Sequence, residues 1–453
     1  MNQTEGRKPL PPQRVKELER IFALANAGEN CSIVAISNMG KSALLRSVYA
    51  RSLQDRLGAT FVYVDCNRML SRTDQGLYEL ILRCVLDALR DDAGASQAVR
   101  RVSGAYERIT NTSAPFQFSL GFNEGITGLI EELNQPIVLM FDEFDEPFQT
   151  LDGRVLLNLR ALRDRYAHRL TYILATNRSL REIRCEPDVD EFCEMFVRHT
   201  YYLPPLSDED TREYALYLAQ QKGATFDDQD IQFIQQKSGG HPGLVEAICE
   251  VLGEVTGEPL RSPSQNWIIH RDVSERLRTD SAVQSECAKL WEVLSEEEQG
   301  ALLTLLSPAE VPPAHALRAL EQKHVVRTTP EGKRIFSQLF EEFIRRQRVL
   351  RQGIRRSIRV DVDSGEIWVE GKLVPPLTQL EHRLIMLLYG RLGKIVDKYQ
   401  VVESVWGQEY IDEVDDARIE KLVSRLRQKI EPDPANPRFL ITVRGRGYKL
   451  ADG

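Results

Sequence analysis

The sequence predicts a multidomain protein in which an α/β domain is followed by a helical region and by two small domains that each combine helices with a β-ribbon. Its 453 residues are enough for three or four folded units, at about 100–200 residues per unit. Between residues 31 and 177, short apolar runs alternate with longer helical stretches, a pattern typical of a parallel sheet flanked by helices. Helices followed by a turn-rich ribbon then occur at 286–347 and again after residue 357.

Composition excludes several classes of protein. With 42% hydrophobic and 28% charged residues and a net charge of −8, the chain has the composition of a globular protein, not of a disordered, fibrous or uniformly basic one. The charge is unevenly distributed. Residues 351–453 hold 18 Lys and Arg against 16 Asp and Glu, so this segment is +2 and the preceding 350 residues are −10. The C-terminal segment therefore differs electrostatically from the rest.

The seven cysteines are scattered without a C-x-x-C pair, which favours reduced thiols over a disulfide or zinc framework. The N-terminus has no apolar leader, and no apolar run approaches the roughly 18–20 residues of a membrane helix. We therefore expect a cytoplasmic protein without a membrane partner.

Four apolar runs predict the strands of the α/β domain. They lie at residues 31–36, 60–65, 136–141 and 170–176. The segment 117–122, Gln-Phe-Ser-Leu-Gly-Phe, alternates like an additional edge strand or hairpin, but nothing in the sequence fixes its position. The role of residues 86–125 stays open.

Helical patterns dominate after the α/β domain. Ser207 is a candidate N-cap, Gly239 and Gly240 end one helix, and Ser295 opens another. The basic stretch 347–359 has no apolar stripe, so we interpret it as a linker. The expected domains are an α/β core at 1–205, a helical lid at 206–285, a winged-helix domain with linker at 286–350 and a second winged-helix domain at 351–453.

Residues 35–42, Ala-Ile-Ser-Asn-Met-Gly-Lys-Ser, lie between a predicted strand and a predicted helix, which is the context of a phosphate-binding P-loop. Gly40 lets backbone amides turn towards phosphate oxygens, Lys41 supplies a positive charge, and the Ser42 hydroxyl is a candidate Mg²⁺ ligand. Ala35 replaces the first glycine of the usual motif, so this segment alone is also compatible with an ordinary loop. The loop residues expected to contact a nucleotide are Ser37, Asn38, Met39, Gly40, Lys41, Ser42 and Ala43.

A second motif supports the first. The apolar run 137–141 ends in Asp142 and Glu143, the hydrophobic strand and acidic pair of a Walker B motif. We expect Asp142 to hold Mg²⁺ through water and Glu143 to act in catalysis by orienting or deprotonating the attacking water. The alternative is a solvated acidic turn after a buried strand, which is the role we assign to Asp145 and Glu146.

Two further candidates follow from their context. Arg178 comes after a strand that ends in Thr176 and Asn177, where a catalytic group that senses the γ-phosphate would lie, although an exposed arginine is an equally good interpretation. His241 and Pro242 follow two glycines and would bring the start of a helix near the nucleotide. The alternative is an ordinary helix start with proline in its first turn.

Taken in order, six segments resemble AAA+/STAND-type ATPases: PPQRVKEL, AISNMGKS, VLMFDEFDE, LATNR, LPPLS and GGHPGL. The resemblance extends from residue 9 to about residue 255. It implies ATP or ADP with Mg²⁺ as cofactors, a nucleotide-operated switch and homo-oligomers formed through the ATPase. It also implies that the segment from Pro11 to Arg14 lies near the adenine. Arg198 is a candidate trans-acting arginine, unless it only caps a strand.

Residues 416–430 predict an amphipathic helix. Five apolar residues form one stripe at helical spacing: Ile419, Leu422, Val423, Leu426 and Ile430. The opposite face carries Lys421, Ser424, Arg425 and Gln428, with Arg418 and Arg427 on its flanks. Side chains of this type reach base edges and phosphates of double-stranded DNA, but a solvated helix face is the usual explanation of such a pattern.

The residues that follow this helix favour the DNA interpretation. A loop and a strand lead into the tight turn Arg444-Gly445-Arg446-Gly447, and a closing strand follows, as in a β-wing with arginines at its tip. Residues 418–449 contain nine basic and three acidic residues in a chain that is acidic overall. Such a patch predicts a partner with negative charge.

The C-terminal segment closely resembles the winged-helix effector domain of OmpR/PhoB-type response regulators. The resemblance is carried by the stretches LTQLE, VWG, RLR and RGRGY and covers nearly all of residues 357–451. It implies that the amphipathic helix lies in the major groove and that Arg446 enters the minor groove. The usual receiver domain with its phosphoacceptor aspartate is not found, and the ATPase-like region takes its place.

These features predict a nucleotide-controlled, DNA-binding transcriptional regulator with slow ATPase activity. One alternative is an ATP-hydrolysing DNA machine of the origin-recognition or transposition type, and another is an oligomerising signalling scaffold. The effector, the operator, the oligomeric state and the active nucleotide form are not predicted.

Overall fold

The computed structural model describes residues 14–54, 58–90, 92–255, 266–307, 311–356, 358–360, 367–370, 372–410 and 414–451. These residues form two units that divide in sequence between Phe343 and Ile344. The first unit contains a parallel sheet, its flanking helices and a further helical region. The second unit combines two small sheets with helices.

The helices of the first unit are α1 (Val15–Asn26), α2 (Lys41–Gln54), α3 (Asp74–Leu89), α4 (Ser96–Thr110), α5 (Pro115–Leu133), α6 (Asp145–Thr150), α7 (Gly153–Tyr166), α8 (Leu180–Ile183), α9 (Asp190–Val197), α10 (Asp208–Gln221), α11 (Asp228–Ser238), α12 (Pro242–Val255), α13 (Asn266–Leu277), α14 (Ser281–Glu292), α15 (Glu296–Leu305) and α16 (Ala314–Gln322). Its strands are β1 (Cys31–Val34), β2 (Thr60–Asp65), β3 (Ile137–Asp142), β4 (Leu170–Thr176), β5 (Thr200–Tyr202), β6 (Val326–Thr329) and β7 (Gly332–Ile335). Helix α17 (Gln338–Arg356) begins in the first unit and ends in the second.

The first five strands form a parallel sheet in the order β2-β3-β4-β1-β5. This sheet confirms the four predicted strands. Val34 pairs with Thr176, and Asp65 pairs with Asp142, so the carboxyl ends of β1, β3 and β4 lie at one edge. Strand β5 was not predicted because its three half-buried residues are too few to show a periodic pattern.

Strands β3 and β4 are buried at every position, as expected for a parallel sheet covered by helices on both faces. A chain of aromatic rings packs in the same core, with neighbouring ring centroids 5.3–6.3 Å apart. These rings belong to Phe144, Phe148, Phe192 and Phe196. The aromatic rings thus belong to the core that packs against the parallel sheet.

The segment 117–122, whose role the sequence leaves open, lies inside helix α5 and forms neither an edge strand nor a hairpin. Its alternating pattern is overridden by packing, because Phe122 is fully buried and α5 lies close against α4. A Cβ atom at Gly125 would lie 2.9 Å from Cβ of Ala105. Glycine therefore allows the close helix–helix contact.

The helical region after β5 follows the predicted helix ends. The Ser207 side chain accepts a hydrogen bond from the Asp210 amide and caps α10. Gly239 ends α11 in the left-handed conformation, with φ of 62°. A Cβ at this position would lie 2.1 Å from the carbonyl oxygen of Phe336, so both the backbone conformation and the packing require glycine.

The last part of the first unit places α14, α15 and α16 before the antiparallel hairpin β6–β7. Ser295 and Glu298 form a capping box at the start of α15, as the sequence indicates. The basic stretch 347–359, interpreted as a linker, is helical as far as Arg356, where α17 ends. Arginine and glutamine, which make up much of this stretch, are good helix formers.

The second unit has its own hydrophobic core, which includes Leu384, Val402, Leu426 and Tyr448. Its elements after α17 are β8 (Ile358–Val360), β9 (Ile367–Val369), β10 (Lys372–Leu373), α18 (Gln379–Tyr389), β11 (Ile395–Val396), α19 (Lys398–Val405), α20 (Asp416–Ile430), β12 (Leu440–Val443) and β13 (Gly447–Leu450). The sheets have the orders β10-β9-β8 and β11-β13-β12. Within the described ranges, no helix combines the length and the apolarity required to cross a bilayer.

Candidate functional sites

The loop 35–42 connects β1 to α2 at the carboxyl edge of the parallel sheet. Its backbone turns through Asn38 and Gly40, whose φ angles are 54° and 97°. Helix α2 begins at Lys41, directly after this turn. The amides in the first turn of a helix have no intrahelical partner and favour negative charge, so this loop has the backbone geometry of an anion site.

Lys41 is buried and points back into the loop. Its Nζ donates hydrogen bonds to the carbonyl oxygen of Ala35 at 2.8 Å and to Oδ1 of Asn177 at 2.8 Å. Burial lowers the pKa of its ammonium group, whereas the carboxylates of Glu143, Asp145 and Asp142 raise it. Lys41 is therefore a buried cation with three carboxyl groups in its vicinity.

Asp142 lies at the end of β3 and is hydrogen-bonded through both carboxylate oxygens. Ser42 Oγ donates to its Oδ1 at 3.1 Å, and the Tyr63 hydroxyl donates to its Oδ2 at 2.5 Å. The Glu143 amide also donates to Oδ1, at 3.1 Å. The two predicted metal ligands, Ser42 and Asp142, are thus adjacent in space.

Glu143 follows Asp142 in the left-handed backbone conformation, with φ of 54°. This conformation costs about 1–3 kcal/mol in a residue other than glycine. Burial raises the pKa of the Glu143 carboxyl, and the Lys41 ammonium opposes this effect. A strained, half-buried carboxyl beside the loop suits a group that orients water.

Asn177 is the residue at the end of β4 that contacts Lys41. Its backbone amide donates to Oδ1 of Asp145 at 2.9 Å and to Oδ2 at 3.0 Å. Burial raises the pKa of the Asp145 carboxyl, whereas these hydrogen bonds lower it. The sequence pattern alone places Asp145 in an acidic turn and favours Arg178 over Asn177 as the polar group at the end of β4. The position of Asn177 directly after a buried strand was the available signal.

The two arginines predicted from sequence context differ in their surroundings. The Arg178 backbone forms a hydrogen bond to Asp145, and both this bond and the arginine charge lower the pKa of the Asp145 carboxyl. Arg198 is exposed at the C-terminal end of α9. The sensor role of the first and the trans-acting role of the second stay predictions.

Arg14 is hydrogen-bonded to the backbone of the loop 35–42. Its guanidinium donates to the carbonyl oxygens of Met39 at 2.8 Å and Pro204 at 2.7 Å. Burial lowers the pKa of Arg14, while Glu17 acts in the opposite direction. The rest of the segment expected near the adenine, residues 11–13, lies outside the described residues.

His241 contacts the loop from the start of α12. Its Nε2 donates to the carbonyl oxygen of Ser37 at 2.8 Å, and its Nδ1 accepts from the Leu244 amide at 3.2 Å. This pattern fits a neutral imidazole, and burial lowers the pKa of His241 to about 4. Pro242, the first residue of α12, has its Cγ 3.8 Å from the position of a Cβ on Gly40.

Asn38, at the tip of the loop, donates through Nδ2 to Oε2 of Glu286 at 2.7 Å. Glu286 belongs to α14, where Lys289 donates to its other carboxylate oxygen at 2.9 Å. The loop is therefore in contact with helix α14, which begins at the end of the predicted lid. This contact was not predicted, because neither residue belongs to a recognised motif.

The oxygen atoms near the loop fit magnesium together with a nucleotide. Ser42 and Asp142 offer a hydroxyl and a carboxylate, the hard oxygen ligands that Mg²⁺ prefers. Among the described residues, no cluster of three or more His, Cys, Asp or Glu side chains could hold a metal by itself. Further ligands would have to be water and phosphate oxygens, as is usual for a magnesium–nucleotide complex.

The predicted DNA-reading helix is α20, which spans the predicted residues. Its apolar stripe is buried, from Ile419 to Ile430. The selected polar residues are all exposed on the other face: Arg418, Lys421, Ser424, Arg425 and Gln428. Asp415 caps the helix by accepting from the Arg418 amide at 2.9 Å. The helix thus presents a basic surface to solvent.

Arg427 has a different role from its neighbours on α20. Its Nε donates to the carbonyl oxygen of Leu440 at 2.9 Å, and its Nη2 donates to Thr442 Oγ1 at 2.8 Å. Both acceptors belong to β12. Arg427 therefore fixes the position of the helix relative to the ribbon.

The ribbon β12–β13 closes through the predicted turn. Arg444 and Arg446 are both exposed in this turn, and Gly445 has φ of 70°. Gly447 has φ of 127°, and a Cβ there would lie 2.1 Å from the carbonyl oxygen of Val396. The glycines thus form a tight turn whose exposed side chains are arginines.

Comparison with known proteins relates the second unit to transcriptional regulators. Residues 373–450 match the family described as transcriptional regulatory protein, C terminal. Over 94 residues the chain is 39% identical to the sensory transduction protein RegX3 of Mycobacterium tuberculosis, and the match covers 20% of this chain and 40% of the relative. The chain thus spans about two fifths of the length of this curated relative.

Two solved structures are also similar. The DNA-binding domain of Klebsiella pneumoniae RstA, in complex with the RstA box, is 26% identical, with 21% of this chain and 93% of that chain covered and a TM-score of 0.20. A Walker-type ATPase of Pyrococcus abyssi is 14% identical, with 75% of this chain and 99% of that chain covered and a TM-score of 0.45. At these TM-scores the likenesses carry no functional argument.

Proposed function

Because the chain carries a C-terminal OmpR/PhoB-type winged-helix domain, we propose that this protein is a transcriptional regulator whose DNA binding is controlled by ATP or ADP with Mg²⁺. One observation carries this proposal. The same chain presents an exposed basic face on α20 and a loop whose Lys41 and Ser42 contact the ends of β3 and β4. The first feature suits DNA and the second suits a nucleotide.

At the nucleotide site, each group has a defined role. The backbone amides from Gly40 to Ala43 bind phosphate oxygens, and Lys41 exchanges its carbonyl partners for them. Ser42 would bind Mg²⁺ and Asp142 would hold it through water, and the ion would neutralise charge on the phosphates. Glu143 orients a water molecule for slow hydrolysis.

The finer architecture belongs to the same proposal. Helices α10 to α13 form the lid, and α14 to α16 with the hairpin β6–β7 form a first winged helix. Contacts with the α/β core support this arrangement. The side chain of Lys323, which follows α16, is 3% exposed. Its Nζ lies 2.6 Å from Oε1 of Glu182 in α8 and 2.7 Å from Oε1 of Glu298 in α15. A buried lysine between two carboxylates holds these elements together, because separation would leave buried charge unpaired.

A contact between helix α14 and the loop 35–42 offers a route by which a bound nucleotide changes the structure. Glu286 lies at the tip of the phosphate-binding loop through its hydrogen bond to Asn38. Phosphate oxygens in this loop would repel the Glu286 carboxylate, and ATP would repel it more than ADP because ATP carries more negative charge. The nucleotide would thereby change the position of α14 relative to the loop.

At the DNA surface, Lys421, Ser424, Arg425 and Gln428 face the major groove. Such side chains read base edges through hydrogen bonds. Arg418 and Arg444 contact phosphates, and Arg446 at the tip of the turn enters the minor groove. Arginine suits this groove because its negative potential is strongest where it is narrow. The exposure of all these side chains supports the assignment.

The proposal is tested by titrating the full chain into a duplex selected by genomic footprinting and into random duplex, with ADP, with ATP and without nucleotide. A regulator prefers the selected duplex by about 10³-fold or more. In the variant Lys41→Ala we expect DNA binding without any response to nucleotide. Equal affinity for both duplexes would contradict a regulator and favour an ATP-hydrolysing DNA machine. DNA affinity that is independent of nucleotide would contradict the switch.

A further inference from the structure

Tyr63 lies beside the end of β3 without belonging to either nucleotide motif. It is the fourth residue of β2, and its backbone pairs with Met140 in the parallel sheet. Residues two apart on a strand share a face, so Tyr63 lies on the same face as Asp142. The Tyr63 hydroxyl reaches Oδ2 of Asp142 at 2.5 Å.

This hydrogen bond fixes the orientation of the Asp142 carboxylate. Oδ2 accepts from Tyr63, while Oδ1 accepts from Ser42 Oγ at 3.1 Å. A hydroxyl that donates to a carboxylate at this distance forms a strong, charge-assisted hydrogen bond. Rotation of the carboxylate would break contacts on both sides.

The Tyr63 ring is itself held in place. The Tyr49 ring of α2 packs against it, with centroids 6.4 Å apart. A tyrosine hydroxyl is protonated at neutral pH, so it is available as a donor to the carboxylate. The Tyr63 hydroxyl is therefore a fixed donor to Oδ2 of Asp142, whereas Oδ1 accepts from Ser42.

We propose that Tyr63 is a positioning residue for magnesium: its hydroxyl holds Asp142 so that Oδ1 faces the Ser42 hydroxyl, and it thereby sets the Mg²⁺ affinity of the nucleotide complex. This inference rests on the proposed nucleotide site. Removal of a hydrogen-bond partner behind a metal ligand typically weakens metal binding by about 10–100-fold. Nucleotide binding without metal depends on the loop amides and Lys41, so it does not require Tyr63.

The test uses the full chain and a fluorescent ADP analogue, titrated over a Mg²⁺ series and in EDTA. For Tyr63→Phe we expect the half-saturating Mg²⁺ concentration to rise about tenfold or more, with unchanged ADP affinity in EDTA. Tyr172→Phe is the matched control, because it also removes the hydroxyl of a strand tyrosine, and this hydroxyl donates to the Leu159 carbonyl oxygen at 2.9 Å instead of to a carboxylate. This control should match the wild type.

A second comparison tests whether Tyr63 acts through Asp142. In an Asp142→Asn background, Tyr63→Phe should have no further effect on the Mg²⁺ midpoint. An unchanged midpoint in Tyr63→Phe alone would overturn the inference, and so would an equal loss of ADP affinity with Mg²⁺ and in EDTA. Neither result would contradict the proposed nucleotide site, because the wild-type chain would still bind ADP. A wild-type chain that binds no nucleotide would overturn the site and the inference together.

Discussion

Nζ of Lys41 lies 2.8 Å from Oδ1 of Asn177, although the two residues are 136 positions apart in the sequence. The contact joins the loop after β1 to the end of β4, two strands that are neighbours in the sheet. Asn177 is in turn anchored to Asp145. The lysine is thus held by oxygen atoms that phosphate oxygens can replace.

Lys41→Ala should abolish detectable binding of magnesium–ATP. The substitution removes the cation that the proposal places at the phosphates, while the parallel sheet keeps its core. Binding is measured by titration calorimetry, and the fold is checked by circular dichroism. Lys16→Ala, at an exposed position of α1, serves as the control. Unchanged affinity in Lys41→Ala would sink the P-loop assignment.

Glu143→Gln should retain bound ATP but slow its turnover about 100-fold or more, the usual effect of losing a catalytic base. Glutamine keeps the size of the side chain but cannot accept a proton from water. Phosphate release is the measurement. Glu146→Gln is the matched control, because Glu146 is an exposed partner of Arg72. Equal turnover in the wild type and Glu143→Gln would make Glu143 a structural residue.

His241 should make stability depend on pH. Its pKa is about 4 when folded and 6.5 in the unfolded chain, so protons bind preferentially to the unfolded state. The stability that this group contributes is present above pH 6.5 and is lost as the pH falls towards 4, by about 3 kcal/mol in total.

Urea unfolding over this pH range measures the effect of His241. His241→Gln, which retains an N–H group for the Ser37 carbonyl, should flatten the pH dependence. The exposed His315 pairs with Glu297, and His315→Gln should not flatten it. The same pH dependence in the wild type and in His241→Gln would refute this prediction.

Arg425→Ala should cost about 1–3 kcal/mol on the selected duplex and little on random DNA, if Arg425 reads a base in the major groove. The side chain is exposed on the basic face of α20, so its removal should leave the core unchanged. Fluorescence anisotropy with both duplexes gives the comparison. An equal loss on the two duplexes would reassign Arg425 to phosphate contacts.

Arg446→Ala should weaken binding to all sequences, because readout in the minor groove is degenerate. The slope of log affinity against log salt should fall in magnitude by about one, since one basic contact is lost. A salt series on labelled duplex measures this slope. Arg438→Ala is the control. Arg438 is also exposed, but it precedes β12, whereas the turn with Arg446 follows this strand. An unchanged slope in Arg446→Ala would exclude an electrostatic contact between Arg446 and DNA.

The sequence by itself determined the local features of this protein. The helix Asp416–Ile430, the turn at 444–447 and the loop 35–42 each depend on residues a few positions apart, so their spacing is readable without coordinates. Strands β1 to β4 were equally readable, because a parallel sheet covered on both faces requires continuous apolar runs.

Only the tertiary structure decided which residues meet. Tyr63 reaches Asp142 across 79 positions, and Glu286 reaches Asn38 across 248. In the sequence, Tyr63 and Glu286 are an ordinary strand tyrosine and an ordinary helix glutamate. Their contacts depend on the order of strands in the sheet and on the packing of distant helices. Even the alternating segment 117–122 became a helix, because burial against α4 stabilises it more than its local pattern favours a strand.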